Sequence, residues 1–375
     1  MAISLARAVE TLQELAPLEY AESWDNVGLL VEPPRPPPDV ASVSRVLLTI
    51  DLTDAVLDEA TGCELIVSYH PPIFKAVQRL VCTDPVARRL ATLIQRKTAV
   101  YSPHTALDAA RGGINDWLVS ALGPGQVAPI AEARRQAELK VVVFVPEAHV
   151  RALRDELADA GAGVIGNYDS CSFNLRGTGT FRGNADSNPT LGRRQSLETV
   201  EEVRLEMVCA AEHLAAIGAA IRRHHPYEEP AWDVYPLEQR PVTGVGIGRR
   251  VELETKLTVD EAVARVKAHL GLRYVRLAKS PVHAAGGLIA KAAVCAGAGG
   301  SVLGAAGDVD LVVSGELRHH DILAWTARGC SVIVCDHTNT ERGFLPVLAE
   351  RLREAWGQTV SVDVATEDRE PLAIV

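Results

Sequence analysis

The feature that most constrains this chain is an alternation of strand and helix patterns that is interrupted midway. Short apolar runs rich in β-branched residues stand at 46–50 (VLLTI), 64–69 (ELIVSY) and 98–102 (TAVYS), with a helical pattern at 85–97 (PVARRLATLIQRK). The style returns after about residue 243, with strand patterns at 291–297 (KAAVCAG), 309–315 (VDLVVSG) and 330–336 (CSVIVCD). A last amphipathic helix follows at 344–356 (FLPVLAERLREAW). Strands alternating with helices predict α/β layers with largely parallel strands. The interruption has another order: strand 138–146, helix 147–161, strands 170–181 and 200–210, helix 211–225, strand 231–237. That β-α-β-β-α-β succession is the order of a ferredoxin-like sandwich. Its middle loop, RGNADSNPTLGRRQSL, is polar and rich in Gly, Pro and Asn, so it is expected at the surface. His224-His225 reads as a turn. The expected architecture is an α/β lobe over 1–130, an inserted ferredoxin-like α+β domain over 138–240 and a second α/β lobe over 243–375. The two lobes form one split domain.

At 375 residues the chain is too long for one hydrophobic core, which agrees with that division. The first eighteen residues space their apolar side chains like an amphipathic helix rather than a secretory signal. No apolar run is long enough to span a bilayer, so a cytoplasmic protein with no membrane partner is expected. The seven cysteines contain no CxxC pair, which favours reduced, buried thiols and excludes a four-thiolate zinc site. A net charge of −10 without a basic stripe argues against nucleic acid as the main partner.

Four places concentrate metal-capable side chains, each beyond a predicted strand, where ligands gather in α/β sheets. SYHPPIF offers His70, stiffened by two prolines. YSPHTALDAARGGINDWL offers His104 and Asp108. SGELRHHDIL offers Glu316, His319, His320 and Asp321. CDHTNTERGF offers Asp336, His337 and Glu341. Imidazole with carboxylate suits zinc, iron or manganese better than calcium or magnesium alone. Each residue also has an ordinary role. His70 alone could be a hydrogen-bonded strand-end histidine, and Asp108 could support the turn before Gly112-Gly113. Thr338 and Glu341 match a capping box, with the carboxylate reaching back to its cap. The SGELRHHDIL side chains read as neighbours of the metal or of substrate rather than ligands. CAGAGGSVLG, at 295–304, follows a strand and opens a helix. Its backbone at Gly297, Gly299, Gly300 and Ser301 is either a phosphate contact or only a tight turn, since it lacks a P-loop ending. GVGIGRR, at 244–250, reads as a turn into a strand. No Gly-x-Ser-x-Gly elbow and no paired cysteine nucleophile is present.

Taken together, ESWDNVGLLV (22–31), VSYHPPIF (67–74), YSPHTALDAARGGINDWL (101–118) and CDHTNTERGFL (335–345) closely resemble the Nif-three-like family of dinuclear-metal-centre hexameric proteins. Members often carry the label GTP cyclohydrolase type-two homologue. IGNYDSCSFNLRGTGTF and HHPYEEPAWDVYPL resemble that family's optional middle domain. The resemblance implies two divalent ions per subunit in a cleft between the lobes, and a toroidal homohexamer with the insert at its openings. It also implies that His70, Asp108, His337 and Glu341 are the ligands, with a carboxylate bridging and His104 close by as a further ligand or a neighbour. Many members have two consecutive histidines where this chain has Tyr69-His70, so Tyr69 is expected either to ligate through its phenol or to leave one ion short. Two ions about 3.5–4 Å apart suit hydrolysis. The leading expectation is therefore a metal-dependent hydrolase of a small molecule, phosphorylated or a nucleotide, with His104 or His320 carrying protons. The residues themselves do not derive a GTP pocket. The alternative is a non-catalytic metal-handling or regulatory scaffold.

Overall fold

The structure is a computed structural model that describes residues 2–34, 42–134, 138–239 and 241–374. Residue 240, where the inserted domain is expected to end, lies outside them. The chain divides into two compact units, Met1–Ala133 with Val242–Val375, and Arg134–Pro241.

The first unit holds two sheets. One has five strands in the order Ser361–Val364, Arg45–Thr49, Leu65–Ser68, Ala99–Ser102, Gly28–Val31, parallel except for the last. The other runs Arg276–Ala278, Ser331–Val334, Leu311–Ser314, Ile289–Cys295, Pro241–Leu257, Gly125–Arg134, with its parallel part at Ile289–Cys295, Leu311–Ser314 and Ser331–Val334. The parallel strands LIVS, AVYS, LVVS and SVIV are buried at every residue. Sheets covered on both faces require such unbroken apolar runs. One strand departs from the expected lobes. Ser361–Val364, C-terminal to the last helix, pairs with Arg45–Leu48 of the first sheet, so it covers an edge that would otherwise be open.

Three of the buried strands end in serine, and each hydroxyl ties down the turn beyond the sheet. Ser68 Oγ donates to the His70 carbonyl at 2.7 Å, Ser102 Oγ to the Tyr69 carbonyl at 2.8 Å, and Ser314 Oγ to the Gly297 carbonyl at 3.1 Å. The chain direction thus brings the candidate residues to one end of each sheet, and these bonds hold them there.

The two sheets share one hydrophobic cluster, in which Leu48, Val67 and Tyr101 join Val294, Val313 and Ile333. Polar contacts set their register. Arg249, 1% exposed, donates to the Ala110 carbonyl at 3.1 Å and the Gly248 carbonyl at 2.9 Å, and forms a bidentate pair with Asp116. Buried Asn115 donates to the Asp108 carbonyl at 3.1 Å and accepts from the Ala296 amide at 3.0 Å. Residues 244–250, expected as a turn into a strand, instead lie within the strand Pro241–Leu257, where the Gly246 and Gly248 carbonyls accept from the buried Arg249.

The second unit is a four-stranded antiparallel sheet in the order Trp232–Pro236, Glu138–Val145, Leu197–Ala210, Phe173–Arg182. Helices Val150–Asp159 and Leu214–His224 contribute Leu153, Leu157, Ile217 and Ile221 to a core with Val141, Val143, Leu205 and Met207. His225 closes a turn, accepting from the Tyr227 amide at Nδ1. No helix among the described residues is long and apolar enough to cross a membrane.

Arg249→Met keeps much of the side-chain volume but leaves Asp116 and several carbonyls without a donor. It is expected to lower stability by about 3–5 kcal/mol in denaturant unfolding. A change within experimental error would show that the guanidinium does not hold the sheets in register.

Candidate metal centre

The strand ends bring His70, from the first sheet, against His337 and Glu341, from the turn after the second. Ligand atoms of these three lie within 4.8 Å of one another. Glu341 is 1% exposed; its Oε1 is 3.4 Å from His337 Nε2 and its Oε2 is 3.6 Å from His70 Nε2. Oε2 is buried and has no hydrogen-bond partner. A buried carboxylate oxygen in that condition is costly unless a cation compensates it. The capping-box reading of Glu341 therefore fails. Thr338 instead donates to Glu370, and its hydroxyl accepts from Arg342 at 2.8 Å, while Glu341 turns inward. The chain does contain a capping box, at Thr258 and Glu261.

Carboxylates set the tautomers of the histidines. His70 Nδ1 lies 2.9 Å from Asp51 Oδ1, and His104 Nδ1 lies 2.8 and 2.9 Å from the two Asp25 oxygens. An ionised carboxylate can only accept, so Nδ1 carries the proton and Nε2 keeps its lone pair. His337 Nδ1 faces Glu316 Oε1 at 3.5 Å, a looser version of the same arrangement. Burial opposes ionisation of Asp51 and Asp25, yet hydrogen bonds from His70 and from His104 and Thr105 hold both below the ordinary carboxylate range. Asp51 and Asp25 were absent from the sequence-based candidates. The pairs are 19 and 79 residues apart, at no recurring spacing.

Without an ion, a proton takes its place. Burial disfavours charged His70, but the Asp51 hydrogen bond and the Glu341 carboxylate outweigh it and push its pKa up to about 10. The donor set thus fits a divalent ion: two imidazoles with oriented Nε2 atoms and one buried carboxylate.

Gly297 makes room for this cluster. It has φ +61°, and a Cβ there would stand 2.6 Å from Glu341 Oε1 and 2.9 Å from His337 Nε2. Its amide donates to Thr340 Oγ1 at 2.8 Å, and the Gly299 amide donates to Ser314 Oγ at 3.1 Å. Those two amides are therefore engaged inside the fold rather than free to cradle a phosphate, and the helix at Gly300–Leu303 is only four residues long. Gly300 and Ser301 line a surface hollow with Arg318 and with Glu316, the carboxylate that faces His337.

The remaining candidates divide. Asp108 is not in the three-residue group; its Oδ1 accepts from the Tyr69 hydroxyl at 2.6 Å, and burial pushes its pKa up to about 6. Burial, then the Asp108 and Glu341 charges, raise the Tyr69 phenol well above its usual value. In this arrangement the Tyr69 phenol is a donor to Asp108. The His104 ring stands 5.4 Å from that of His70, and the residue adopts φ +23°, an unusual backbone for a non-glycine. His319 and His320 are exposed at the start of helix His319–Ala327, in contact with each other. The structure does not bring them to the cluster, so the expectation of His320 as proton carrier there loses its geometric basis.

The family profile described as Duf34/NIF3 (NGG1p interacting factor 3) matches residues 3–371. The chain is 32% identical over 385 residues to the NIF3-like protein 1 of Bos taurus, across 100% of this chain and 93% of that one. It is 34% identical over 316 residues to a Halalkalibacterium halodurans protein named GTP cyclohydrolase 1 type 2 homolog, across 83% of this chain and 82% of that one. Among solved structures it resembles a Bacillus cereus protein related to NIF3, with TM-score 0.67, 29% identity and 100% of both chains covered. It also resembles the Staphylococcus aureus protein SA1388, with TM-score 0.73, 25% identity and 100% and 99% covered.

Gly297→Ala forces a side chain against Glu341 and His337 at a left-handed backbone position. It is expected to cost about 1–3 kcal/mol in denaturant unfolding. A neutral substitution would mean that the cluster is looser than these distances require.

Proposed function

The chain belongs to the Duf34/NIF3 family, and from that premise we propose that it is a dinuclear divalent-metal protein that hydrolyses a small phosphorylated or nucleotide substrate. The observation that carries this reading is the buried Glu341 carboxylate, with one oxygen unpartnered and two imidazole Nε2 atoms at 3.4 and 3.6 Å. His70, His337 and Glu341 would hold one ion, and Asp108 and His104 are the residues proposed for a second. Bound zinc, iron or manganese would supply Lewis acidity and lower the pKa of water at the site.

The chain's own residues supply orientation and proton handling. Asp51 keeps the His70 ring in the ligating tautomer. Asp25 does the same for His104, whose Nε2 could instead carry a proton to or from substrate. Tyr69 holds Asp108 in place by donating to it. We read the antiparallel second unit as a ferredoxin-like domain, supported by its order of fourth, first, third and second strands. A toroidal homohexamer in the cytoplasm completes the proposal, on the strength of the family resemblance. The cyclohydrolase label of bacterial relatives is not carried over.

Metal analysis of purified protein, followed by a screen of phosphoesters and nucleotides, tests this. His337→Ala is expected to lose bound metal and at least about 100-fold in turnover. Activity that survives in that variant would overturn the catalytic reading, and metal bound without turnover of any substrate class would favour a scaffold. The pH dependence offers a separate check. Only neutral imidazole ligates, so metal uptake must displace the proton that His70 otherwise keeps up to about pH 10. Apparent affinity in a chelator competition should rise about tenfold per pH unit between about 7 and 9. A flat profile would show that His70 does not hold a competing proton in that range.

A further inference from the structure

The second unit contains a cavity of ≈ 580 Å³ that the metal reading does not use. It lies on the face of the antiparallel sheet away from the helices. Along strand Leu197–Ala210, Val203, Leu205 and Met207 point into the core, while Val200, Glu202 and Arg204 alternate to the other face and line the cavity. Phe144 joins them from the neighbouring strand, opposite Arg204. Phe181 and Tyr227, with ring centroids 6.4 Å apart, form a further wall.

Two glycines of the edge strand open this space in different ways. Gly179 pairs with Val200 and Gly177 with Glu202. A Cβ on Gly179 would stand 2.4 Å from Glu202 Oε2, so this glycine gives the carboxylate its place. A Cβ on Gly177 would meet nothing within 4 Å, so the side chain missing there is open volume.

The charges around the cavity are unevenly satisfied. Arg176 is paired with Glu147, and Arg204 with Glu206 at 2.8 Å. Arg182, on the opposite pleat from Phe181 and exposed, borders the cavity at its rim. Glu202 has no ion-pair partner among the described residues. The Tyr227 hydroxyl is buried beside Glu202, and burial, then hydrogen bonding to that carboxylate and its charge, push its pKa up to about 12. A carboxylate without an ion-pair partner, a neutral phenol oxygen and three aromatic rings form a surface that favours positive charge, and Glu228 and Glu229 add to it at the rim.

We propose that this cavity binds a small organic cation, a primary amine or amidine with an apolar body. Glu202 pairs with the charged head, Tyr227 Oη accepts from its N–H, and the rings of Phe144, Phe181 and Tyr227 hold the body. This site is separate from the metal centre, and its test does not depend on metal loading.

The test compares two molecules of similar body and opposite charge, 2-phenylethylamine and 3-phenylpropionate, by ligand-observed NMR titration of the full chain. The amine should bind saturably and at least about tenfold more tightly than the carboxylate. Glu202→Gln should weaken the amine by about tenfold or more. Gly177→Leu, which places a side chain in the open volume, should abolish binding while leaving metal content unchanged. Should Glu202→Gln fail to fold, Tyr227→Phe repeats the test with loss of a single hydroxyl and should weaken the amine several-fold. Absence of saturable amine binding, equal binding of both probes, or wild-type binding by Gly177→Leu would each overturn the proposal.

Discussion

Arg249 carries a charge that it cannot lose at any ordinary pH, and it carries that charge at 1% exposure. The surrounding chain must therefore bring acceptors to it, and these come from both halves of the first unit. Asp116 and the Ala110 carbonyl lie in the N-terminal half, and the Gly248 carbonyl in the C-terminal half. Apolar contact between the two sheets is non-directional and would tolerate sliding. A guanidinium fork does not, because its donors are fixed in a plane. Asn115 adds a second polar link, from the Asp108 carbonyl to the Ala296 amide. Everything at the candidate centre depends on this register, since His70 comes from one half and His337 and Glu341 from the other.

The same logic governs the centre itself. Glu341 is a buried charge whose nearest partners are imidazoles just beyond hydrogen-bond distance. Either a proton on His70 or a metal ion completes it, and the two compete for the same lone pair. The outer carboxylates Asp51 and Asp25 bias that competition by fixing which nitrogen faces inward. They also show why aspartate is used there and not an amide, which could present either a donor or an acceptor.

How far the sequence reveals this depends on whether the signal is local. Strands such as LIVS and LVVS are legible because burial on both faces leaves a continuous apolar run. The four-stranded unit is legible because its strand and helix order is stereotyped. His70, His337 and Glu341 could be marked as metal-capable, but Glu341 also fitted a cap in its local sequence. Only the fold shows that Thr338 pairs elsewhere and that the carboxylate points inward. Asp51 and Asp25 act across 19 and 79 residues, and Ser361–Val364 joins a sheet formed some 300 residues earlier. Gly297 looks like part of an anion-binding turn until the space its missing side chain leaves is found beside Glu341. His320 shows the reverse case, a metal-like residue that the helix leaves in solvent.

The strands that flank the second unit are neighbours in one sheet. Gly125 lies against Glu252 and Gly246 against Ala131, so Gly125–Arg134 and Pro241–Leu257 run antiparallel, as the two arms of a hairpin do. In sequence, residues 138–239 thus stand between two adjacent antiparallel strands. A chain that lost this whole stretch could join the same two arms with a few residues and keep every other strand in place. Architecturally the second unit is an insertion between two adjacent strands, and the histidines and carboxylates of the candidate centre all lie outside it.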